Sequence, residues 1–457
     1  MKPVAFSIFF VAALTRSIVP SVASQVDGHG EQILVFVGSR HRANASASSR
    51  TQHFTSLNSA IDFLNKKVDA RTGYVGPIEI LIDPETFYAQ SVDLKFTSKN
   101  LNPDLESESY PTRITTNFSV LKLGKRAVFD GRHDPSKIFG KKNSFLKIVD
   151  SVGIKTNVSI QNIVVKNYLG GIGIVGPRDA TKPENGNNQI TGVSFAQIGS
   201  KYYGMGDGCS IGFAALGLSN TSDNIVNGNY FSNNENAYYP NRCPPPDRDS
   251  RRGIHSIYVA WRSHRNRIIN NSFSNYSGAA VKLSESNDNK VLGNYFYNPN
   301  DLRVPDVLNS VHYSSTLKEC PSRGTVVLNN FFKHRNDLSH VTEFNITKGD
   351  PSCVQSTPKE RLRVANNLLS QGAYPVRSFI PLTGQFRSGL CRLPTDCILN
   401  NSSASVHKNI CVRDGESPLS PVSLKGTICQ KGNLFNPPRS SRNFEIPTQD
   451  ARSTSKS

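Results

Sequence analysis

The sequence predicts an all-β protein that folds as a single-stranded, right-handed parallel β-helix. An eight-residue pattern recurs along the chain, its apolar positions are mostly β-branched or aromatic, and Asn or Gly occupies fixed places within it. The two clearest copies are NRIINNSF at 266–273 and NKVLGNYF at 289–296, which start 23 residues apart. A unit of this length without helical periodicity is typical of stacked coils, each made of three short strands.

Further copies extend the prediction over the centre of the chain. They start at residues 157, 188, 224, 325 and 362, and we interpret the longer spacings as the same coil with inserted loops. Asn tolerates the left-handed backbone of turns, and stacked Asn residues can form a hydrogen-bonded ladder while the recurring Phe stacks inside. The leucine-rich repeat pattern is absent, and the regular four-stranded blades of a β-propeller are not seen.

The residues before these copies predict a helix and a strand. Residues 54–68 place apolar side chains on one helical face, and 77–83 alternate as a strand does. Such a helix can cap the open end of a solenoid, which otherwise exposes strand edges and apolar core.

We divide the chain into four parts. Residues 1–24 are interpreted as a signal peptide, because Lys2 precedes an apolar run and Val22-Ala23-Ser24 ends on small residues. An uncleaved signal anchor is the alternative, but the run is shorter than the ~20 residues that a spanning helix needs. Residues 25–369 form the β-helix with its cap, 370–433 a Cys-rich extension, and 434–457 a disordered tail. We therefore expect a secreted protein without another membrane span.

An even set of eight cysteines favours disulfides over metal ligands in an exported protein. They are Cys209, Cys243, Cys320, Cys353, Cys391, Cys397, Cys411 and Cys429. Pairing of neighbours is the simplest of many possible arrangements, and it would staple the C-terminal extension. Nine Asn-x-Ser/Thr sequons are glycosylation sites if the host has a eukaryotic secretory pathway.

The formal net charge of +18 favours a polyanionic partner. An acidic polysaccharide suits a secreted protein, whereas no nucleic-acid-binding motif is present, so we expect no nucleic-acid partner. The alternative is that the charge only keeps the protein soluble. We expect a monomer.

A candidate site follows from strand alternation. In the run 279–283, Lys282 points outward while its neighbours point inward. Aligning the preceding coil by interior residues, with Trp261 beside Leu283, places Arg262 near Ser284 on the outer face. The sequence thus predicts Lys282 and Arg262 as diagonal neighbours, with Tyr258 on the same face.

The stretch 255–298 resembles chondroitinase B and the β-helical alginate lyases of the pectin-lyase-like superfamily, since NNSF and GNYF match their core pattern. The resemblance implies the right-handed β-helix and cleavage of an acidic polysaccharide by β-elimination. It places the catalytic lysine of those lyases at Arg262 and their catalytic arginine at Ser284. Their two calcium-binding glutamates fall on His255 and Ile257, so the expected acidic ligands of calcium are missing and we predict no metal.

The expected roles follow from that chemistry. A base removes the proton beside the uronate carboxylate, and a cation must neutralise that carboxylate. We assign Lys282 as the base, Arg262 to carboxylate binding and Tyr258 as a reserve acid or base. Further substrate contacts are expected from His255, His264, Ser284, Arg248, Arg251 and Arg252, the last three in an inserted loop.

Other functions remain open. On the alternative interpretation, Lys282 and Arg262 are ordinary surface cations, and the protein binds acidic polysaccharide without cleaving it. A uronate C5-epimerase uses the same proton abstraction as a lyase. A glycoside hydrolase is disfavoured, because the chain has no Asp-Asp dipeptide and no Gly-His-Gly motif.

Overall fold

The computed structural model describes residues 32–39, 51–69, 76–97, 108–117, 125–132, 144–179, 181–203, 214–237, 253–299, 304, 306–311, 322–334, 342–346, 362–365, 367–370, 377–382, 385–389, 404–407 and 410–412. These residues form successive coils that each contribute one strand to three sheets. Pairing is parallel throughout the three sheets except for the last pair of the third, which is antiparallel. The predicted parallel β-helix is therefore confirmed, and its right-handed winding stays a prediction.

The first sheet contains twelve strands within the described residues. In spatial order they are Thr51–Phe54, Ile33–Val37, Ile78–Ile82, Thr112–Thr116, Val158–Gln161, Gln189–Thr191, Ile225–Asn227, Arg267–Ile269, Lys290–Leu292, Val326–Leu328, Leu362–Ala365 and Ala404–His407.

The second sheet contains ten described strands. They are Thr86–Tyr88, Ala127–Asp130, Ile163–Lys166, Ser194–Ala196, Tyr230–Asn234, Ser272–Tyr276, Tyr295–Asn298, Phe331–His334, Leu368–Ser370 and Ile410–Val412.

The third sheet also contains ten described strands. They are Val92–Phe96, Ser144–Asp150, Gly170–Val175, Ala214–Ser219, His255–Ala260, Val281–Ser284, Val307–Val311, Thr342–Ile346, Arg377–Leu382 and Gln385–Gly389. The short strands Asn185–Gly186 and Thr221–Ser222 pair separately at a turn.

The recurring pattern lies in register from coil to coil. Val226 pairs with Ile268, Ile268 with Val291, and Val291 with Val327. Each copy supplies a strand of the first sheet, a short turn and a strand of the second sheet; the turn has one residue in the copy at 157 and two in the later copies. The coils that precede residue 157 lack this pattern, although strands such as Ile78–Ile82 show plain alternation of buried and partly buried residues.

Two asparagine ladders run through the coils. In one, the backbone N–H of Asn229 donates to Oδ1 of Asn271 at 2.9 Å, and that of Asn271 donates to Oδ1 of Asn294 at 2.8 Å. The series continues through Asn330 to Asn367 with the same donor and acceptor. The second ladder joins Asn188, Asn224, Asn266 and Asn289 at the turn between the third and first sheets. The predicted ladder is confirmed, and it satisfies backbone groups that the tight turns would otherwise leave buried without a partner.

The recurring phenylalanines stack inside the coils, as predicted. Phe195, Phe231, Phe273, Phe296 and Phe332 are fully buried. Their neighbouring rings are nearly parallel, with centroids between 4.6 and 4.9 Å apart. This spacing matches the ~4.8 Å separation of paired strands, so one ring fills the core of each coil.

The predicted N-terminal helix is present as α1, Leu57–Asp69, and a short helix α2 spans Ser200–Tyr203. The hydroxyl oxygen of Ser56 accepts the backbone N–H of Ser59 at 3.1 Å, which is the hydrogen bond of a helix N-cap. Ile61 and other apolar residues of α1 are buried in the same apolar cluster as the first coils. The capping role of this helix stays a prediction.

Several predictions fall outside the described residues. These are the signal peptide, the C-terminal tail and seven of the eight cysteines; Cys411 lies in a described strand, and its side chain is not described. Strands Ala404–His407 and Ile410–Val412 continue two sheets past residue 369, and the domain division stays a prediction. Within the described residues, no helix is long and apolar enough to cross a membrane.

Replacing Asn271 by Ala should lower the free energy of unfolding by roughly 3 kcal/mol or more. The change removes an amide that accepts from Asn229 and donates to the carbonyl of Val226 at 2.9 Å. Asn227→Ala is the control, because the Asn227 side chain lies on the outer face of the first sheet and its described hydrogen bond is long, 3.4 Å. Urea unfolding followed by circular dichroism should separate the two variants, and equal midpoints would contradict a stabilising ladder.

Candidate functional site

Tyr258 and Lys282 meet on the outer face of the third sheet. They are directly paired in adjacent strands, and the Lys282 Nζ lies 4.7 Å from the centroid of the Tyr258 ring. Lys282 is only 5% exposed, whereas Tyr258 is partly exposed. Contact between an ammonium and a ring face contributes about 0.5–2 kcal/mol, more as water is excluded. The cation is thus held in one place on the sheet.

His255 joins this pair from the start of the same strand as Tyr258. Its ring centroid lies 5.5 Å from that of Tyr258, edge to face, and the residue is 4% exposed. Three residues of the sequence-predicted site are therefore brought together. A phenol, an imidazole and an ammonium in contact can transfer a proton and stabilise developing negative charge.

The predicted register of these strands was wrong by two residues. Val259 pairs with Leu283, and Ala260 pairs with Ser284. The strand ends at Ala260, and Trp261 follows it in the left-handed region with φ of 44°. Trp261 is 39% exposed and is not the interior residue that alternation predicted, so aligning it with Leu283 shifted the whole coil.

Arg262 is not a neighbour of Lys282, in contrast to the prediction. It follows Trp261 in the left-handed region, with φ of 52°. Its guanidinium donates to the backbone carbonyls of Asp179 at 3.3 Å and Lys182 at 3.4 Å. The expected pair of cations on one sheet is therefore not assembled, and the carboxylate-binding role of Arg262 loses its geometric basis.

His264 lies at the turn that leaves the third sheet. Its Nδ1 accepts the backbone N–H of Asn287 at 2.8 Å, and its Nε2 lies 3.4 Å from Oε1 of Glu184. Burial lowers the pKa of His264 below its ordinary value; Arg265 lowers it further, while Glu184 opposes the shift. The hydrogen bond from the Asn287 N–H requires an unprotonated Nδ1 on His264. The lowered pKa keeps Nδ1 available for this bond, which stabilises the turn.

Ser284 lies on the outer face two residues beyond Lys282. It is 1% exposed, and its hydroxyl has no hydrogen-bond partner in the described part of the chain. Arg248, Arg251 and Arg252 lie outside the described residues, and their substrate contacts stay predictions.

The position of the expected calcium site does not suit calcium. Ile257 is fully buried in the core, and His255 offers nitrogen where calcium prefers oxygen. No group of three or more His, Cys, Asp or Glu residues that could hold a metal occurs among the residues that the structure describes.

Two glycines in the same outward row as Tyr258 were missed in the sequence. Along one row of the outer face, Lys147 pairs with Gly173, Gly173 with Gly217, and Gly217 with Tyr258. A Cβ added at Gly217 would meet nothing within 4 Å, so the outer surface of the sheet is bare there. Glycine inside a strand often marks the close approach of a ligand or another backbone. The sequence signal for this open surface was therefore a glycine between two apolar strand residues, as in Ile-Gly-Ile around Gly173 and Leu-Gly-Leu around Gly217.

No protein-family model matches the chain, and no curated protein matches it significantly. Several solved structures are similar to the chain. PfbA, a surface adhesin of Streptococcus pneumoniae, is similar over 81% of this chain and 90% of its own, with 10% identity and a TM-score of 0.37. The alginate lyase from Paenibacillus sp. str. FPU-7 is similar over 69% of this chain and 94% of its own, with 13% identity and a TM-score of 0.33.

A third similar structure is the PL6 family polysaccharide lyase Pedsa3628 from Pseudopedobacter saltans. It is similar over 81% of this chain and 98% of its own, with 12% identity and a TM-score of 0.31. The likeness is one of fold. The resemblance to the pectin-lyase-like β-helix proteins rests on the three parallel sheets described above, and similarities this weak carry no argument about activity.

Stability should fall as the pH drops through about 6.5, the ordinary pKa of histidine. Burial keeps His264 unprotonated in the folded protein, so below that pH the unfolded chain binds a proton that the folded chain does not. The loss continues until the pH reaches the lowered pKa of the folded state. Melting temperatures of wild type and His264→Gln, measured from pH 7.5 to 5, should therefore converge as the pH falls. Curves that stay parallel would show that His264 contributes nothing to the pH dependence.

Proposed function

We propose that the protein is a secreted polysaccharide lyase that cleaves an acidic polysaccharide on the outer face of the third sheet. The observation that carries the proposal is the Lys282–Tyr258 pair, a nearly buried cation held against a partly exposed phenol beside a bare stretch of sheet.

The row of small residues suits a sugar ring. A Cβ added at Gly217 would meet nothing within 4 Å, so a ring can approach the backbone there more closely than a side chain would permit, whereas a Cβ at Gly173 would lie 3.7 Å from Cγ of Lys147. Exposed Lys147 lies on the far side of this row, three strand spacings or ~14 Å from Tyr258. Exposed Asp93 is directly paired with Lys147, so an anionic substrate is favoured by Lys282 at the other end of the row and by the net charge of +18.

The proposed reaction is elimination at a uronate residue. A base removes the proton at C5, the electron pair of that bond forms the C4–C5 double bond, and the bond between C4 and the glycosidic oxygen breaks. The departing oxygen then takes up a proton. Tyr258 is the group that exchanges these protons, because it is the more exposed of the pair. The Lys282 ammonium stabilises the phenolate and the charge that develops on the carboxylate.

These roles differ from the expectation that Lys282 is the base and Arg262 binds the carboxylate. Arg262 donates to the backbone of Asp179 and Lys182, whereas Lys282 contacts the Tyr258 ring. Arginine keeps a positive charge but cannot act as a base at ordinary pH. The variant Lys282→Arg therefore separates a lysine that stabilises charge from a lysine that removes the proton.

Binding without cleavage is the second candidate function. The displaced position of Arg262 favours it, because elimination needs the carboxylate to be neutralised and one expected cation is engaged elsewhere. A C5-epimerase also remains, since it removes the same proton and returns one to the other face of the ring. Deuterium incorporated at C5 without a new double bond would identify an epimerase.

The purified mature protein should raise the absorbance near 232 nm, where unsaturated uronates absorb, on one of alginate, pectate, chondroitin sulfate, dermatan sulfate or hyaluronan. Tyr258→Phe should lower kcat by roughly 10²–10⁴-fold, because it keeps the ring under Lys282 and removes only the proton-transfer group. Lys282→Met should lose activity to a similar extent, and Lys282→Arg should keep more of it.

The control for these variants is Lys333→Met. Lys333 lies over Tyr297 at 5.9 Å in a directly paired position of the second sheet, so it repeats the contact away from the proposed site. Full activity of Tyr258→Phe would contradict the assignment of Tyr258. Absence of product on every substrate, together with salt-sensitive binding to one, would leave the binding function.

Gly217→Val should raise KM for that substrate by roughly tenfold with little change in melting temperature. A Cβ at Gly217 has open space, so the fold accepts it, but the branched side chain covers the surface that the sugar ring needs. Thr191→Val is the matched control, because Thr191 is a partly exposed strand residue on the outer face of the first sheet. Unchanged kinetics in Gly217→Val would place the substrate elsewhere.

A further inference from the structure

Two exposed cations lie side by side on the outer face of the first sheet. Arg267 and Lys290 are directly paired, and neither forms an ion pair with an acidic side chain of the described residues. In the same row, Arg113 is instead paired with Glu79 at 2.9 Å. Adjacent like charges on a sheet repel each other and destabilise the pairing. The pairing of these two strands therefore gains no stability from this arrangement.

Partly exposed apolar side chains border the two cations. Ile269 and Leu292 are directly paired, two residues further along the same strands. Leu292 is separated from Tyr295 by a two-residue turn, and the ring of Tyr295 lies 5.3 Å from that of Phe331 in the next coil. Apolar, aromatic and basic side chains thus adjoin where the first and second sheets meet.

We infer that these six residues form a second surface that binds acidic polysaccharide, apart from the site on the third sheet. We call Arg267, Lys290, Ile269, Leu292, Tyr295 and Phe331 the corner surface. The cations are placed to bind carboxylate or sulfate groups, and the aromatic and aliphatic side chains pack against the apolar faces of sugar rings. The two cations lie in adjacent coils ~4.8 Å apart and are flanked in the row by Ile225 and Val326, so a polymer that crosses these coils meets one pair of positive charges.

A polysaccharide fits this surface better than an anionic lipid membrane. Membrane binding by a basic face requires apolar side chains that project deeply enough to enter the lipid. The apolar residues of the corner surface are only partly exposed, whereas both cations are exposed. Partly exposed side chains can pack against the apolar face of a sugar ring without projecting from the surface. The inference shares its ligand class with the proposed function but needs no cleavage.

The test variant is Arg267→Gln combined with Lys290→Gln in the full chain. Binding to immobilised pectate, alginate and chondroitin sulfate is measured at low and at moderate salt, with neutral dextran as the blank. We expect the dissociation constant for one acidic polymer to rise roughly five- to tenfold and its salt dependence to weaken. The melting temperature should stay the same or rise, because the repulsion is relieved. Phe331→Ala should also weaken binding, with the salt dependence unchanged.

The matched control is Lys66→Gln combined with Arg178→Gln, two exposed cations elsewhere whose removal causes the same loss of charge. Each protein is first treated with an endo-N-acetylglucosaminidase, which leaves one neutral sugar and adds no charge, since Asn270 beside Ile269 begins a sequon. Equal weakening by the test and control variants would overturn the inference in favour of net charge alone. Unchanged binding in the test variant would also overturn it. Binding to anionic phosphatidylserine vesicles is measured in parallel, and a loss of binding confined to the vesicles would overturn the inference as well.

The outcome is distinguishable from that of the proposed function. Weaker binding in the corner variant, with no absorbance change from wild type on any substrate, supports the corner surface and overturns the lyase. Cleavage by wild type, with unchanged binding in the corner variant, overturns the corner surface alone. Lys282→Met serves as the reciprocal control, and we expect it to leave most of the binding at the corner surface intact.

Discussion

The side-chain amide of asparagine is the interaction on which the rest of this fold depends. At the two-residue turn between the first and second sheets, each amide accepts the backbone N–H of the preceding coil, as Asn271 does for Asn229. The turn therefore cannot shift by one residue without breaking several buried hydrogen bonds. Because the ladder fixes register, every outward residue has a defined neighbour in the next coil. Both surfaces described above are rows of such neighbours.

The parts of the structure that follow from repetition could be predicted from the sequence. The recurring Asn and Phe predicted the coils, the ladder and the stacked rings. The register at the candidate site could not be predicted in the same way, because Trp261 continues the alternation of its strand while its backbone has already left it. A left-handed backbone at a bulky side chain is rare, and tertiary contacts decide it. The same local event moved Arg262 towards Asp179 and away from Lys282.

The two surfaces differ in how their cations are held. Lys282 is nearly buried against an aromatic ring, which fixes its position and excludes water, as a reaction that develops charge requires. Arg267 and Lys290 are exposed and keep their conformational freedom, which suits weak, repeated contact with a polymer. Under the two proposals, the protein holds a polysaccharide at one face and acts on it at another, with no contact needed between the two faces.

The coil that connects Tyr258 to Lys282 has no inserted loop. Among the repeated copies, only those at 266 and 289 follow each other directly. Inserted loops elsewhere can grow, shrink or diverge without altering the distance between these two side chains, since each coil contacts only its neighbours. The proposed chemistry is therefore isolated from changes in the inserted loops. A lineage of such proteins could change those loops while the proposed reacting pair stays in place.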